Sequence, residues 1–400
     1  MLDTLLKSFI HDGALAIRGP TGKLHCAGCT EADAPVIVQI RDAATLRRIA
    51  RRPGLAAGEA YMAGGLTIER GTLYDFLAVA TRNLHNLARR RTWLDRVQPK
   101  NPRPAARRNV AHHYDLSGEL YRLFLNEDRQ YSCAYFTQPG MSLDDAQIAK
   151  KRHLAAKLLL EPGQRVLDIG SGWGGLALTL AEDHGVEVLG VTLSREQLQE
   201  SRKRTSRRGL DRRVTFAPLD YRDVQGKFDR IVSVGMFEHV GPAHYEKFFE
   251  TIARLLEDKG VAVLHTIGRT DGPRAGNAWI EKYIFPGGAI PALSQIVTAI
   301  ERSGLFITDI EVLRLHYAET LREWSKRFAA NRDKVRDLYN ERFCRMWEFY
   351  LAGAEAGFRE GQLVVYQVQL AKDRAVVPQT RDYITHFERA HAAHARIAAE

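Results

Sequence analysis

Three features of the chain predict an α/β protein built on a doubly wound, mostly parallel sheet. From Val166 onward, short apolar runs alternate with stretches whose apolar residues recur at helical spacing. The first run, 166–169, ends in closely spaced glycines and passes directly into a helical pattern. Two connections, 268–293 and 316–361, are far longer than a plain crossover requires. Seven strands fit the pattern: 166–169, 188–193, 214–219, 228–235, 261–267, 306–315 and 363–370.

A smaller α+β unit, residues 1–100, precedes the sheet. It holds a strand at 36–40 and a helix at 43–52 that Pro53 and Gly54 should stop. Turns and one more short strand fill 58–71, and an amphipathic helix covers 73–87. With no catalytic constellation, this unit reads as a lipid-docking or dimerisation module, so a homodimer is one expected partner state. Residues 98–104 carry three prolines in a basic setting and make the best linker. The second domain then spans 108–400. Within it, 120–125 presents an apolar helix face, 131–136 sets aromatics around a hydroxyl and a thiol, and 143–160 is helical.

Composition agrees with two ordinary globular domains: 400 residues, 45% hydrophobic and 26% charged. No apolar run approaches the ~20 residues of a membrane span. Residues 1–10 lack the basic start and cleavage site of a signal peptide, so a cytoplasmic location is expected. Cys26 and Cys29 form a C-x-x-C without a second pair or a βαβ context, which favours small turn residues over metal or redox chemistry. His112 and His113 lack a third ligand, and no metal is expected. The net charge of +10 is concentrated. Residues 82–108 carry nine cations against Asp95, and 202–213 carry seven against Asp211. Such segments suit anionic lipid or nucleic acid, and equally a solvated helix face.

The glycine turn points to a ligand. Gly170, Gly172 and Gly175 satisfy the dinucleotide spacing, so the motif alone has limited specificity. Asp168, inside the strand, suits the ammonium of a zwitterion and would repel a pyrophosphate. The next strand ends in Thr192, Leu193 and Ser194, without the terminal acid that NAD sites place on the ribose. Both details favour S-adenosylmethionine and a Rossmann-like class I methyltransferase, with the seven-stranded sheet carrying helical insertions.

Other strand ends add polar groups where open sheets bind ligands. Asp220–Asp223 follows the third strand, Glu238 the fourth; His265 closes the fifth and Tyr317 follows the sixth. Transfer to oxygen or nitrogen needs one base at most, so three such groups suggest a small bound anion or a carbon acceptor that loses a proton. The insertions hold Trp279, Tyr283 and Phe285, then Trp324, Phe328, Trp347 and Tyr350. Those rings are either core or the wall of an apolar channel.

Taken together, the stretches 131–136, 166–175, 220–223, 228–242, 264–268 and 282–286 resemble the cyclopropane fatty acid synthase family, in order and over about residues 108–372. The first hundred residues resemble, less strongly, the N-terminal extension of its bacterial phospholipid-acting members. The resemblance implies that Tyr131, Ser132, Asp168, Gly170, Gly172, Trp173 and Gly174 hold the amino-acid end of S-adenosylmethionine. Thr192 and Gln197 would serve the ribose, and Tyr221 with Arg222 the adenine. It further implies a bicarbonate ion held by Cys133, Glu238, His265, the backbone of Ile267, and Tyr317. Two departures stand out: Ser171 replaces a frequent cysteine in the glycine loop, and Ala354 replaces another in the late helix.

The implied reaction methylates the cis double bond of a phospholipid acyl chain, and bicarbonate removes a proton so that a cyclopropane ring closes. Methyl- or methylene-branched products are the alternative. The basic segments would then dock on the inner face of the membrane. No Asn/Asp-Pro-Pro-Tyr/Phe motif supports nucleic acid as a partner.

Overall fold

A computed structural model describes residues 2–29, 35–88 and 117–397. The linker candidate, His112 and His113, and every cation of the first basic segment after Arg82 lie outside the described residues. Two compact units emerge.

The first unit takes in the described residues up to 88 with Arg274–Pro286 and Ala318–Leu363. Strands β1 (Leu15–Arg18), β2 (Leu24–Ala27), β3 (Val36–Ile40) and β4 (Leu66–Arg70) form a sheet of order β2-β1-β3-β4. Leu15, Val38, Leu66, Phe76 and Val79 make its core. Strands β1 and β2 had no clear signal in the sequence. The helix Ala43–Arg51 ends just before Pro53, as expected, and Pro53 also begins the helix Pro53–Met62 at its first turn, where a missing N–H does no harm. That helix replaces part of the turn-rich stretch expected at 58–71. Cys26 and Cys29, expected as simple turn residues, face each other as a disulfide at the end of β2.

Both long insertions contribute to this unit. Helix Glu341–Arg359 packs on Leu73–Ala88 and on Pro53–Met62, and the short helix Ala278–Tyr283 also packs on Pro53–Met62. Gly58 allows the close approach: a Cβ there would run into the rings of Trp279 and Phe349. Glu59 accepts hydrogen bonds from Lys282 (2.7 Å) and the Tyr283 hydroxyl (3.0 Å), which fastens the same helices. Trp279, Trp324, Phe328 and Trp347 are fully buried. Of the two roles open to the aromatic stripe, these four rings take that of core.

The second unit holds the sheet predicted from the alternation. Strands β5 (Arg165–Ile169), β6 (Glu187–Val191), β7 (Val214–Ala217), β8 (Phe228–Val234), β9 (Leu256–Arg269), β10 (Phe306–Leu313) and β11 (Leu363–Ala371) lie in the order β10-β11-β9-β8-β5-β6-β7. The pairs from β7 through β9 are parallel, and β10 runs antiparallel to β11. Alternate residues feed two cores. Leu167, Ile169, Ile231 and Leu264 meet the helices Tyr245–Leu255 and Leu293–Glu301. Val166, Val188, Val232 and Val263 meet Leu143–Leu158 and Gly175–His184. Burial on both faces is why the strands read as continuous apolar runs. A C-terminal helix, Asp382–Ile397, was not foreseen; its His153–Glu388 contact (2.7 Å) joins it to Leu143–Leu158.

Candidate active site

The carboxyl ends of β5, β6, β7 and β8 open onto a cleft with about 1220 Å³ of space between atoms, part of it open to solvent. That is room for a nucleoside joined to an amino acid. Its floor is the turn after β5. Gly170 has φ +83°, and a Cβ there would meet Met236 at 2.7 Å, so only glycine lets the loop lie flat beneath a ligand.

Tyr131, Ser132, Asp168, Gly170, Gly172 and Trp173 line the cleft together with Thr192, Gln197, Tyr221 and Arg222. Gly174 is the exception among the expected donor residues. It is the positive-φ residue before helix Gly175–His184, with Phe216 at 2.7 Å from any Cβ, and so shapes the turn from behind.

Asp168 is buried, and its Oδ2 has no hydrogen-bond partner. Burial pushes its pKa up to about 7, partly opposed by the Lys150 ammonium. A buried carboxylate oxygen lacking a donor is what an incoming ammonium would satisfy. Thr192 Oγ1 donates to Gln197 Oε1 (3.1 Å), and Ser194 caps the helix Arg195–Arg207 that carries Gln197. Arg222 forms a two-pronged bond to Asp220 (2.8 and 2.5 Å) with its guanidinium 5.6 Å from the Tyr221 ring. The donor-end aromatics are packed in turn: Tyr121 lies 5.3 Å from Tyr131 and 5.7 Å from Trp173, and Arg129 sits 5.0 Å over Trp173.

A layer of charge behind the loop escaped sequence reasoning. Asp128 is largely withdrawn from solvent between Lys151 (2.8 Å) and Arg204, and Gln130 Nε2 donates to it at 3.0 Å. Arg204 also donates to the Trp173 carbonyl at 2.7 Å, so it braces the glycine loop. Opposite, Lys150 donates to Gln130 Oε1 and to Ser132 Oγ (3.1 Å), while Gln147 donates to the Ser132 carbonyl (2.9 Å). Lys150 is fully buried, which drops its pKa to about 7. The sequence predicts 143–160 only as a helix, and nothing in it marks the lysines there as buried.

These contacts also revise the second basic segment. Arg204 is drawn inward to Asp128, whereas Lys203, Arg207, Arg208 and Arg212 stay exposed, as do Arg202 and Arg213 although they also donate to backbone carbonyls; Arg208 pairs with Glu182.

The residues expected to hold an anion do not line the cleft, although Met236 and His239, flanking Glu238, do. Val234 pairs with His265 across β8 and β9, which brings the two strand ends together. Glu238 Oε1 accepts from the Ile267 N–H at 2.6 Å, and Glu238 Oε2 is buried without a partner. The Ile267 amide thus serves the carboxylate. Burial raises the Glu238 pKa to about 7 against the pull of that amide. His265 is buried and held neutral, its pKa well below the usual value. Tyr317 is buried at the start of helix His316–Ala330. The preceding His316 accepts from the Phe136 N–H at 3.0 Å and stacks on Tyr135, which ties this helix start to the segment carrying buried Cys133.

Among the described residues, no group of His, Cys, Asp and Glu has the arrangement of a metal site, and no helix is long and apolar enough to cross a membrane.

Known proteins share this arrangement. Residues 101–368 match the family model described as mycolic acid cyclopropane synthetase. The chain is 36% identical to the cyclopropane-fatty-acyl-phospholipid synthase of Escherichia coli strain K12, over 85% of this chain and 88% of that one. It is 38% identical to the tuberculostearic acid methyltransferase UfaA1 of Mycobacterium tuberculosis, over 86% and 85%. The crystal structure of mycolic acid cyclopropane synthase CmaA1 complexed with SAH and CTAB superposes with a TM-score of 0.63 at 33% identity, covering 69% of this chain and 99% of that one. With a family model over two thirds of its length and relatives above 30% identity across most of the chain, the chain belongs to the mycolic acid cyclopropane synthetase family of S-adenosylmethionine-dependent methyltransferases.

Proposed function

We propose that this enzyme methylates the cis double bond of phospholipid acyl chains and closes a cyclopropane ring, with bicarbonate as general base. One observation carries the reading: the buried Glu238, whose Oε2 lacks a partner beside the Ile267 amide and the β9 end bearing His265. A methyltransferase acting on oxygen or nitrogen has no need of this second polar pocket.

Bound S-adenosylmethionine would supply an electrophilic methyl carbon, and bicarbonate a moderately basic oxygen. The chain's residues do the rest. Asp168 receives the donor's ammonium, and Tyr131, Trp173 and the glycine turn orient its amino-acid end. Thr192 and Gln197 face the ribose, and Tyr221 with Arg222 frames the adenine. With a pKa near 7, Glu238 can carry a proton on Oε2 and donate it to an anion, which a fully ionised carboxylate would repel. His265, kept neutral, adds a second donor. Tyr317 and the Cys133 segment complete the enclosure.

Phospholipid as the substrate draws support from the Escherichia coli relative, which covers most of both chains. Similarity to UfaA1 favours a second product, a methylene-branched or an unsaturated methyl-branched chain, made when the same cationic acyl chain loses a different proton. Docking on the inner face of a membrane would use Lys203, Arg207 and Arg212 together with the basic residues that follow Arg82. The N-terminal unit would serve that docking or a homodimer contact.

The test is incubation of the full chain with isotopically labelled donor and vesicles of unsaturated anionic phospholipid. Released acyl chains are then examined by mass spectrometry before and after ozonolysis. A labelled, ozone-resistant added carbon supports the ring; an ozone-sensitive one identifies a methylene product. No label in lipid would sink the proposal. Omitting bicarbonate from degassed buffer should slow turnover, and unchanged rates would remove it as the base.

A further inference from the structure

Two glutamines interrupt the otherwise apolar inner face of β11. Gln367 and Gln369 are two residues apart, share one face of the strand and are wholly buried. Their surroundings differ. Gln369 donates to the Lys157 carbonyl (2.5 Å) and the Tyr383 hydroxyl (2.9 Å), and its Oε1 accepts from Thr308 (2.9 Å). It is a satisfied structural amide. Gln367 makes one bond, from Nε2 to His265 Nδ1 at 3.1 Å, and its Oε1 is buried without a partner. A half-satisfied amide in a sheet interior is a poor choice for stability, because valine or leucine would leave no acceptor stranded. Its one bond goes to a histidine of the anion pocket.

We infer that Gln367 is a positioning residue: by donating to His265 Nδ1, it holds the imidazole in the tautomer that carries its proton on Nε2. The inference rests on His265 acting as a hydrogen-bond donor to the anion. A neutral imidazole has a single N–H, and the group facing one ring nitrogen decides which nitrogen bears it. A carbonyl or carboxylate at Nδ1 would draw the proton there and leave Nε2 as a lone pair, useless toward an anion. An amide N–H at Nδ1 does the reverse. Burial keeps the ring from gaining the second proton that would make the choice irrelevant.

Long-range proton–nitrogen correlation on the full-length protein with labelled histidine reads the tautomer directly, the His265 signals being those lost in His265→Asn. The wild type should show Nε2–H with Nδ1 unprotonated. Gln367→Glu offers only lone pairs and should place a proton on Nδ1. With it, turnover should fall at least ~100-fold while S-adenosylhomocysteine affinity stays within about threefold. Should that variant fail to fold, Gln367→Met removes the donor without adding charge and should give a mixture of tautomers. An Nδ1–H wild type, or variants with wild-type His265 protonation, would overturn the inference. A proton moved to Nδ1 without loss of turnover supports the control exerted by Gln367. That same result removes His265 from the catalytic reading, so the two fail separately.

Discussion

The region behind the glycine loop and the region in front of it treat buried carboxylates in opposite ways. Behind, Asp128 is enclosed by Lys151 and Arg204, and despite the desolvation of burial their charges hold its carboxyl below the usual range. In front, Asp168 and Glu238 are at least as deeply buried, yet each keeps an oxygen without a partner and has a pKa near 7. Burial is common to all three, and the neighbours decide the sign. Asp128 is hydrogen-bonded by its cations, whereas Asp168 and Glu238 have none bonded to them, Lys150 acting on Asp168 only through space. This difference separates scaffold from site more sharply than residue type does.

The largest effect should come from breaking the scaffold. Asp128→Ala strands Lys151 and Arg204 beside the glycine loop and should destabilise the protein by about 3–5 kcal/mol, read by urea unfolding. A loss under ~1 kcal/mol would mean that solvent already screens the network. Next is Glu238→Leu, which removes the group proposed to hold the anion. Turnover should drop at least ~100-fold with donor-product affinity retained, and stability should stay within about 1 kcal/mol of wild type, because the loss of a stranded polar atom is offset by the Ile267 N–H left without its acceptor. Asp168→Asn should also be neutral or stabilising, while S-adenosylhomocysteine affinity measured by calorimetry falls ~10–100-fold, the worth of one charge-assisted bond. A matching loss of stability in either variant would erase the contrast with Asp128.

Acidity offers a milder probe. Asp168 and Glu238 have folded pKa values near 7, above the ordinary carboxyl range, so between about pH 4 and 7 the folded ligand-free protein holds protons that the unfolded chain releases. The stability these two carboxyls contribute therefore declines as pH rises through that window, whereas buried His239 and His265, held below the usual imidazole range, contribute the opposite slope below about pH 6.5. The carboxyl share is a climb in melting temperature on acidification, read as the difference between wild type and variants. Asp168→Asn and Glu238→Leu should each flatten the climb. The smallest effect is expected from Lys203→Ala, an exposed neighbour of Arg204 on one helix. Its stability should stay within ~0.5 kcal/mol of wild type, whereas Arg204→Ala, which loses Asp128 and the Trp173 carbonyl together, should cost several-fold more.

Much of the site could be read from the chain because its determinants are local. The turn after β5 needs glycine at fixed positions, Asp168 lies within the same strand, and Thr192 and Gln197 bracket one helix start. Ten of the expected donor residues do line the cleft, and Gly174 fails only because it turns the backbone from behind. Asp128, Lys150 and Gln367 were not legible. Lysine and aspartate on an amphipathic segment ordinarily face water, and a glutamine in a strand carries no mark of its partner 102 residues away. Likewise, the aromatic stripe allowed either core or channel, and packing alone made Trp324, Phe328 and Trp347 interior.

By itself, then, the order of residues determined the seven-stranded sheet, the donor turn and the kind of ligand it suits, because strand alternation and glycine conformation act over a few neighbouring positions. Only the tertiary structure decided which buried charges are paired and which wait. It also decided that both insertions join the N-terminal unit, and that His265 meets an amide at Nδ1. Those outcomes depend on desolvation and on partners distant in sequence, and no local pattern encodes either.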